Sequence, residues 1–215
     1  MPCPDGTWTP WTKATSASDC VPCPRGTFCK YATMYSEKAS SLTTVAQYAD
    51  PAAALGGIEF ALYSGPCGSG YVCLEGASSP TPSDGRTGFI CPVGQFCASV
   101  GGITRAIPCA HGYYAKSEGL LECDPCPAGT YCPDRGSSQT EVCPPGYYCP
   151  SASSAPTPCP AGTASAASGK GNVNECLPCE PGSYCLTPGS GVPTGPCAAG
   201  FVCSGGASFG SNAPG

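Results

Sequence analysis

Apolar residues in this chain occur in short segments that Gly and Pro interrupt every few positions. Most segments follow one pattern, C-P-x-G-x-aromatic-C, in which an aromatic residue or Val precedes the second Cys. Pro fixes φ after the first Cys, and Gly supplies the positive φ of a tight turn. Gly and Pro at this frequency exclude a coiled coil or a long helical array. The pattern therefore predicts short β-hairpins and turns with little or no helix.

The motif C-x5-C recurs along the whole sequence and uses fourteen cysteines. The other six extend three of its copies into a long module, C-x2-G-x(10–13)-C-x2-C-x5-C, so that every cysteine has a place. We interpret the chain as small disulfide-rich repeats stacked as an elongated rod, because each repeat is too small to fold without its neighbours. The seven copies are Cys23–Cys29, Cys67–Cys73, Cys91–Cys97, Cys126–Cys132, Cys143–Cys149, Cys179–Cys185 and Cys197–Cys203.

These modules divide the chain into consecutive segments. A non-repeat insert, rich in Ala in its middle, separates the first long module from the next two short ones, and we expect at most a short helix in it. The last segment copies the linker after Cys73, which predicts that the array continues. The segments are 1–29 (long module), 30–66 (insert), 67–97 (two short modules), 109–149 and 159–203 (long plus short), and 204–215 (linker).

Cysteine content indicates the compartment. Of 215 residues 20 are Cys, 30 Gly and 26 Pro, and the chain is poor in Leu and Ile. Chains with this composition are typical of oxidising environments, where disulfides replace a large apolar core. We therefore expect an extracellular or cell-surface protein, although Met1-Pro2-Cys3 enters a cysteine motif directly and shows no signal peptide.

Cysteines six residues apart across a tight turn can come within disulfide reach. We favour local pairing, with each C-x5-C closed on itself and three further bridges in the long modules. A laddered pairing between successive modules, such as Cys132–Cys143, is the alternative. The three further bridges are Cys3–Cys20, Cys109–Cys123 and Cys159–Cys176.

Charge excludes further classes of function. Nine Lys and Arg stand against fourteen Asp and Glu, for a net charge of −5, and no basic run is present. A nucleic-acid partner is therefore not expected. No apolar stretch reaches 18 residues, so the sequence predicts no membrane span.

Candidate chemistry is sparse. The three C-x-x-C pairs, Cys20/Cys23, Cys123/Cys126 and Cys176/Cys179, fit zinc or redox sites, but they occupy one place in the long module and are interpreted as structural disulfides. His111 is the only His and is interpreted as a solvated turn residue. One His and oxidised cysteines do not make a catalytic set. We therefore predict no enzyme activity, no metal site and no cofactor.

Two features could serve contacts outside the array. The pairs Tyr113-Tyr114 and Tyr147-Tyr148 fit ligand contacts, although packing between modules is the favoured interpretation. The linkers 78–87 and 150–158 are rich in Ser, Thr, Ala and Pro, which favours exposed, extended backbone and O-linked glycans. The candidate acceptors are Ser78, Ser79, Thr81, Ser83, Ser151, Ser153, Ser154 and Thr157.

The string C-x-x-G…C-x-x-C-P-x-G-x-Y-C resembles the ephrin-receptor-like cysteine-rich repeat, which is related in pattern to growth-factor-receptor and tumour-necrosis-factor-receptor modules. The resemblance covers most of the chain outside the insert and linkers. It implies extracellular, disulfide-bonded modules stacked end to end. Such arrays are typical of large surface proteins of protists and algae as well as of animal receptors.

The resemblance is weak for function, because such repeats serve as spacer, stalk and adhesin alike. Repetition without a catalytic set predicts a structural subunit of an extracellular filament, appendage or surface coat. Its partners would be copies of itself or neighbouring fibre subunits, with covalent glycans. The alternative is a stalk or ligand-binding region of a cell-surface receptor or adhesin, with the insert 30–66 as the contact.

Overall fold

The computed structural model of the chain describes residues 3–8, 16–33, 60–100 and 103–210. In these ranges there is no α-helix, and the strands form nine two-stranded sheets. Ten disulfides join all 20 cysteines. The expected class, small disulfide-rich repeats of short hairpins with little helix, is confirmed. The elongated rod and the segment boundaries stay predictions.

Ten of the twelve C-x-x-G strings organise the described residues, and the other two begin at the second cysteines Cys73 and Cys203. We call the ten repeats 1 to 10 and identify each by its opening cysteine: Cys3, Cys23, Cys67, Cys91, Cys109, Cys126, Cys143, Cys159, Cys179 and Cys197.

A hairpin follows each of the first nine repeats. Its first strand begins directly after the glycine, and its return strand ends directly before the next opening cysteine. We number each hairpin by the repeat that it follows. Each hairpin therefore connects the turn of one repeat to the opening cysteine of the next repeat.

Six hairpins have strands of only two residues. The short strands follow from the composition, because Pro ends most return strands and cannot extend a hydrogen-bonded ladder. In hairpin 5, for example, Pro125 is the last residue before Cys126. The strands are β1 (Thr7–Trp8) with β2 (Val21–Pro22), β9 (Tyr113–Tyr114) with β10 (Asp124–Pro125), β11 (Thr130–Tyr131) with β12 (Glu141–Val142), β13 (Tyr147–Tyr148) with β14 (Thr157–Pro158), β15 (Thr163–Ala164) with β16 (Leu177–Pro178), and β17 (Ser183–Tyr184) with β18 (Gly195–Pro196).

Three hairpins are longer. β3 (Thr27–Thr33) pairs with β4 (Phe60–Pro66) over seven residues, from Thr27 opposite Pro66 to Thr33 opposite Phe60. The flanks of the predicted insert, 30–33 and 60–66, are therefore continuous strands of hairpin 2. The segment that could carry the expected short helix lies outside the described residues. The other two hairpins are β5 (Tyr71–Cys73) with β6 (Gly88–Ile90), and β7 (Gln95–Val100) with β8 (Ile103–Pro108).

Two 3-10 turns, Ala17–Asp19 and Val173–Glu175, precede the bridged cysteines Cys20 and Cys176. Each has a capping box, in which the N-cap side chain accepts from the backbone while an acidic side chain accepts from the N-cap N–H. In the second turn Glu175 Oε2 accepts from Gly171 N at 2.6 Å and from Asn172 N at 3.1 Å. These bonds lower the pKa of Glu175, and nearby Lys170 adds a smaller effect in the same direction.

The buried residues are mostly cysteines, and a few Ala side chains with Phe28 and Val72 pack among them. The chain divides into two compact halves, and each has this kind of core. In the first half, Phe28 packs with Cys73 and Ala77, and Val72 with Cys91 and Cys97. In both clusters the residue before the second cysteine of one repeat packs against a cysteine of the next repeat. The first half comprises Met1–Pro92, Phe96–Ile107 and Glu118–Glu122, and the second Val93–Gln95, Pro108–Ser117 and Cys123–Gly215.

Candidate functional site

A tight turn opens each repeat. In repeat 2, Thr27 N donates to Pro24 O at 3.2 Å, and Gly26 has φ +84°, a value that L side chains rarely adopt. Glycine at this place is what a type II turn requires. Thr27 Oγ1 donates to the same carbonyl at 2.8 Å. The turn places the two cysteines of the motif on the same side, so that their Cα atoms are 5.8 Å apart.

The ten disulfides follow the local pattern throughout. Seven repeats close on themselves at a separation of six residues. In the other three repeats the opening cysteine is bonded to the cysteine three residues before the next repeat: Cys3–Cys20, Cys109–Cys123 and Cys159–Cys176. Cys132 is bonded to Cys126, and Cys143 to Cys149, so the laddered alternative does not occur. The Cα–Cα distances lie between 5.6 and 6.2 Å.

Consecutive repeats are joined by a ladder of backbone hydrogen bonds. The N–H of each opening cysteine donates to the carbonyl of the preceding repeat's glycine. In the first half these bonds run from Cys23 to Gly6, from Cys67 to Gly26 and from Cys91 to Gly70, each at 2.8 Å. In the second half they run from Cys109 to Gly94, Cys126 to Gly112, Cys143 to Gly129, Cys159 to Gly146, Cys179 to Gly162 and Cys197 to Gly182, at 2.8 to 3.0 Å.

Three further bonds complete the ladder, as repeats 9 and 10 illustrate. Gly182 N donates to Cys203 O at 3.0 Å, and Cys185 N donates to Ala207 O at 2.9 Å. Gly206 N, in the segment after repeat 10, donates to Cys179 O at 2.9 Å. The same three bonds recur between repeats 2 and 3 and between repeats 8 and 9. Backbone groups form the ladder, so it does not depend on which side chains occupy the variable positions.

Close backbone contacts also join repeats that are not consecutive. A Cβ on the turn glycine of one repeat would collide with a backbone carbonyl two hairpins further along. The pairs are Gly6 with Gly76 and Gly70 with Gly119 in the first half. In the second half they are Gly94 with Gly136, Gly112 with Ala152, Gly129 with Gly169, Gly146 with Gly189 and Gly162 with Gly206. These glycines therefore serve two requirements, a positive φ and a close backbone contact.

Two residues that take part in the backbone ladder are not cysteines and so lie outside the cysteine motifs. Repeats 5 and 8 have Ala115 and Ser165 where other repeats have their second cysteine. Both are buried, at 0% and 5% exposed, and each donates its N–H to the following hairpin, Ala115 to Ser137 O and Ser165 to Ser190 O. A sequence signal was available, because each lies six residues after an opening cysteine. They take the second cysteine's place in the ladder without a bridge.

The residues that could have carried other chemistry are engaged or isolated. Each cysteine of the three C-x-x-C pairs is bonded elsewhere, as Cys20 is to Cys3 and Cys23 to Cys29. His111 is exposed, and its Nδ1 lies 2.6 Å from the carbonyl oxygen of Pro133. A shallow cleft of about 360 Å³ lies along the loop 133–141. Among the described residues, no cluster of three or more His, Cys, Asp or Glu could hold a metal ion.

The tyrosine pairs differ in exposure. Tyr113 is 40% exposed, whereas Tyr114, Tyr147 and Tyr148 are half-buried. The Tyr147 ring lies against the backbone of Gly189, where an added Cβ would meet the phenol oxygen at 3.2 Å. Tyr147 therefore packs between repeats, which is the interpretation that the sequence favoured for this pair.

The hydroxyl groups of the eight candidate glycosylation residues fall into two groups, those that make a hydrogen bond and those that do not. Ser79 Oγ accepts from Thr81 N at 3.2 Å and lies 3.5 Å from Thr81 Oγ1. Ser151 Oγ donates to Cys126 O at 3.3 Å, and Ser153 Oγ donates to Pro150 O. The others make no hydrogen bond within the described part of the chain. Of these, Ser83, Ser154 and Thr157 are exposed, and Ser78 is half-buried.

The loop of hairpin 3 depends on Asp84. Its Oδ1 accepts from Arg86 N at 3.0 Å and from Thr87 N at 2.8 Å, and its Oδ2 accepts from Thr87 Oγ1 at 2.9 Å. The bonds from Thr87 are the main cause of a pKa below the ordinary value for Asp. A lowered pKa in the folded state means that the stabilisation is present above the unfolded-state pKa and is lost as the pH falls through the folded-state value.

We expect acidification to open this loop before the disulfide-bonded turns. Below the ordinary aspartate range, amide protection of Arg86 and Thr87 should fall while that of Cys91 persists. NMR-detected hydrogen exchange across pH 2 to 6 measures both, and Asp84→Ala should lower the protection of Thr87 at the upper end of this range and remove its dependence on pH. Protection that does not change with pH in the wild type would contradict this role of Asp84.

No helix in the described part of the chain is both long and apolar enough to cross a membrane. Among curated proteins, none matches the sequence. A family model described as tyrosine-protein kinase ephrin type A/B receptor-like matches residues 94–143, which span the glycine of repeat 4 to the opening cysteine of repeat 7.

The matched stretch is a cysteine-rich repeat, a non-catalytic type of domain, and together with the ten disulfides it indicates an extracellular domain. Residues 94–143 therefore form an ephrin-receptor-like cysteine-rich repeat domain within a longer array of disulfide-bonded repeats.

Proposed function

We propose that the chain is a structural repeat segment of an extracellular filament, appendage or surface coat. The observation that carries this proposal is the backbone ladder, in which the same atoms join one repeat to the next in each half. Such an interface can be repeated without a change of geometry, which is what an extended scaffold requires. Disulfides in every repeat allow it to persist outside the cell with little apolar core.

Immunogold electron microscopy on the source cells tests the proposal. An antibody against this chain should label an extracellular filament or coat at many positions along its length. An antibody against the segment 34–59 is a useful second probe, because it reports a part of the chain outside the repeats. Cytoplasmic labelling, or labelling of scattered single receptors, would contradict the structural role.

A second candidate function, the stalk or ligand-binding region of a receptor or adhesin, is favoured by hairpin 2. Its strands β3 and β4 are seven residues long, against two in six other hairpins of the described residues. This ribbon carries the segment 34–59, which interrupts the repetition. Loops positioned by a rigid scaffold often carry binding residues.

Replacing 34–59 by a two-residue Asn-Gly turn distinguishes the two functions. The Asn-Gly turn suits a two-residue hairpin connection, so β3 and β4 should still pair. A receptor or adhesin would lose saturable cell binding, while a structural subunit would still join its filament. Replacing Gly101-Gly102, which lie in sequence between β7 and β8, by the same two residues is the matched control.

We further propose that exposed, unengaged hydroxyls carry O-linked glycans. Ser154 and Thr157 should be modified, whereas Ser151 and Ser153 in the same linker should be less occupied because their hydroxyls donate to backbone carbonyls. Site-resolved mass spectrometry of the native protein measures occupancy at all four. Equal occupancy of both pairs, or an unmodified linker, would contradict this prediction.

A further inference from the structure

The loop of hairpin 6 differs in chemistry from the loops of its neighbours. It runs from the residue after the second cysteine to the first residue of the return strand, 133–141, and reads PDRGSSQTE. The loops at the same place in hairpins 7 and 9, residues 150–157 and 186–195, contain no charged residue and no Asn or Gln. The charges and the amide of this loop are therefore not a requirement of the repeat itself.

Backbone hydrogen bonds hold this loop against repeat 5. Gly136 N donates to Cys109 O at 2.8 Å, and Ala115 N donates to Ser137 O at 2.9 Å. Equivalent bonds hold the loops of hairpins 7 and 9, so the conformation does not depend on the polar side chains at 134, 135 and 138–140. A loop held in this way needs little ordering when a ligand binds, which lowers the entropic cost of binding.

Two side chains from outside the loop hold its ends. At its start, His111 Nδ1 lies 2.6 Å from the carbonyl oxygen of Pro133. At its end, the phenol of Tyr131 donates to the carboxylate of Glu141, its partner across the two strands. This bond is the main cause of a Tyr131 pKa above its ordinary value. The wall that the loop forms is therefore fixed at both ends.

A cleft of about 360 Å³ lies along this wall. Sites for small molecules have volumes from about 300 Å³ upwards, so the cleft can accept a small ligand. Several polar side chains along it are not engaged with the protein. Within the described residues, no hydrogen bond or ion pair is made by the side chains of Asp134, Arg135, Ser138, Gln139 and Thr140.

The composition of the cleft restricts the class of ligand. Asp134 and Glu141 against Arg135 leave one negative charge in excess, which disfavours a phosphate, a sulfate or an acidic sugar. An apolar ligand would cover charged groups and hydroxyls without replacing their hydrogen bonds to water. A neutral saccharide fits, because each of its hydroxyls both donates and accepts, as carboxylate, guanidinium, amide and hydroxyl side chains require.

We propose that the cleft of hairpin 6 binds a neutral saccharide. In this contact the Asp134 carboxylate accepts from sugar hydroxyls, the Arg135 guanidinium donates to them, and the Gln139 amide does both. The inference goes beyond the proposed structural role and does not depend on it. The saccharide can belong to a glycan on another copy of the chain or on a different molecule, since both offer the same hydroxyl chemistry.

NMR titration of the oxidised, 15N-labelled protein, produced without glycans, tests the site. The neutral probes are cellobiose, lactose, maltose and mannobiose, and digalacturonic acid is an acidic probe of similar size. At millimolar concentrations, at least one neutral probe should shift the amide signals of residues 134–141 and leave those of 150–157 unchanged. No shift at 134–141 with any neutral probe, shifts confined to other residues, or stronger binding of the acidic probe would each overturn the inference.

An alanine variant shows whether the cleft side chains make the contact. Asp134→Ala should weaken binding of the neutral probe about tenfold, because it removes a charged acceptor of hydrogen bonds. Glu180→Ala is the matched control, since Glu180 is an exposed acid on the turn of repeat 9, and it should change binding less than about twofold. A melting curve of each variant shows that it has folded. Equal weakening by both variants would also overturn the inference.

A second titration identifies the source of the saccharide. Glycans released from the native protein are added to the same labelled, glycan-free protein. Shifts at residues 134–141 would identify another copy of the chain as the source. Binding of a neutral disaccharide without binding of the released glycans, or a native protein that carries none, would identify a different molecule. Each of these results supports the site, and they differ only in the origin of its ligand.

Discussion

Removing the Cys143–Cys149 bridge, by Cys143→Ser with Cys149→Ser, is expected to lower the free energy of unfolding by about 2–4 kcal/mol. Both cysteines are fully buried, and both take part in the backbone ladder, Cys143 N to Gly129 O and Cys149 N to Lys170 O. The loss should therefore spread to the neighbouring repeats. Hydrogen exchange should increase at the amides of Gly129 and Cys159 as well as within repeat 7.

The bridge Cys197–Cys203 provides a matched control for this variant. It closes a loop of the same length, but Cys197 is partly exposed and no further repeat is bonded to it within the described residues. Removing it should increase exchange in repeat 10 and in the part of repeat 9 that bonds to it, and leave repeat 7 unchanged. Equal, purely local effects of the two double variants would show that the repeats are not coupled by the ladder.

The variant Gly146→Ala should destabilise the protein by more than Gly200→Ala. The two glycines have nearly the same φ, +82° and +84°, so both substitutions place an L residue in the left-handed region at a cost of about 1–2 kcal/mol. Only at Gly146 would the added Cβ collide with the Gly189 carbonyl, and it would also lie 3.0 Å from Gly191 N. Overpacking of this kind adds about 1–3 kcal/mol.

Chemical denaturation of the oxidised protein measures the difference, with exchange at the Gly189 amide as a local probe. That amide donates to Cys159 O at 2.9 Å and should lose protection in Gly146→Ala alone. The comparison separates conformational strain from the close contact between alternate repeats. If the two variants lost the same stability, the approach of Gly189 to Gly146 would contribute nothing to the fold.

The turns and the class of fold could be predicted from the sequence because their causes are local. The C-P-x-G string, for example, predicts a positive φ at its glycine, and Gly26 has one. Pro22 and Pro66 end return strands because Pro cannot donate a ladder hydrogen bond. The sequence left two patterns of disulfide connectivity open, because a spacing of six residues permits a bridge without requiring it. The structure has the local pattern, in which the turn already brings the sulfurs together.

The ladder could not be predicted in the same way. Its donors and acceptors are backbone N–H and carbonyl groups, which every residue except Pro provides, so the bonds leave no signature in the choice of side chain. Ala115 and Ser165 illustrate the difficulty, because their role depends on position rather than on chemistry. The close contact between Gly146 and Gly189 joins residues more than forty positions apart, beyond the reach of local motif reasoning.

Because backbone hydrogen bonds join the repeats, the number of repeats in the gene can change without loss of this contact. Since Cys126 N bonds to Gly112 O and Cys143 N to Gly129 O in the same manner, a recombination event that removes or duplicates one such stretch joins surfaces that already fit. The protein can then gain or lose length in whole increments while its new junction remains intact. Selection on the length of the chain can therefore act through copy number rather than through point substitution.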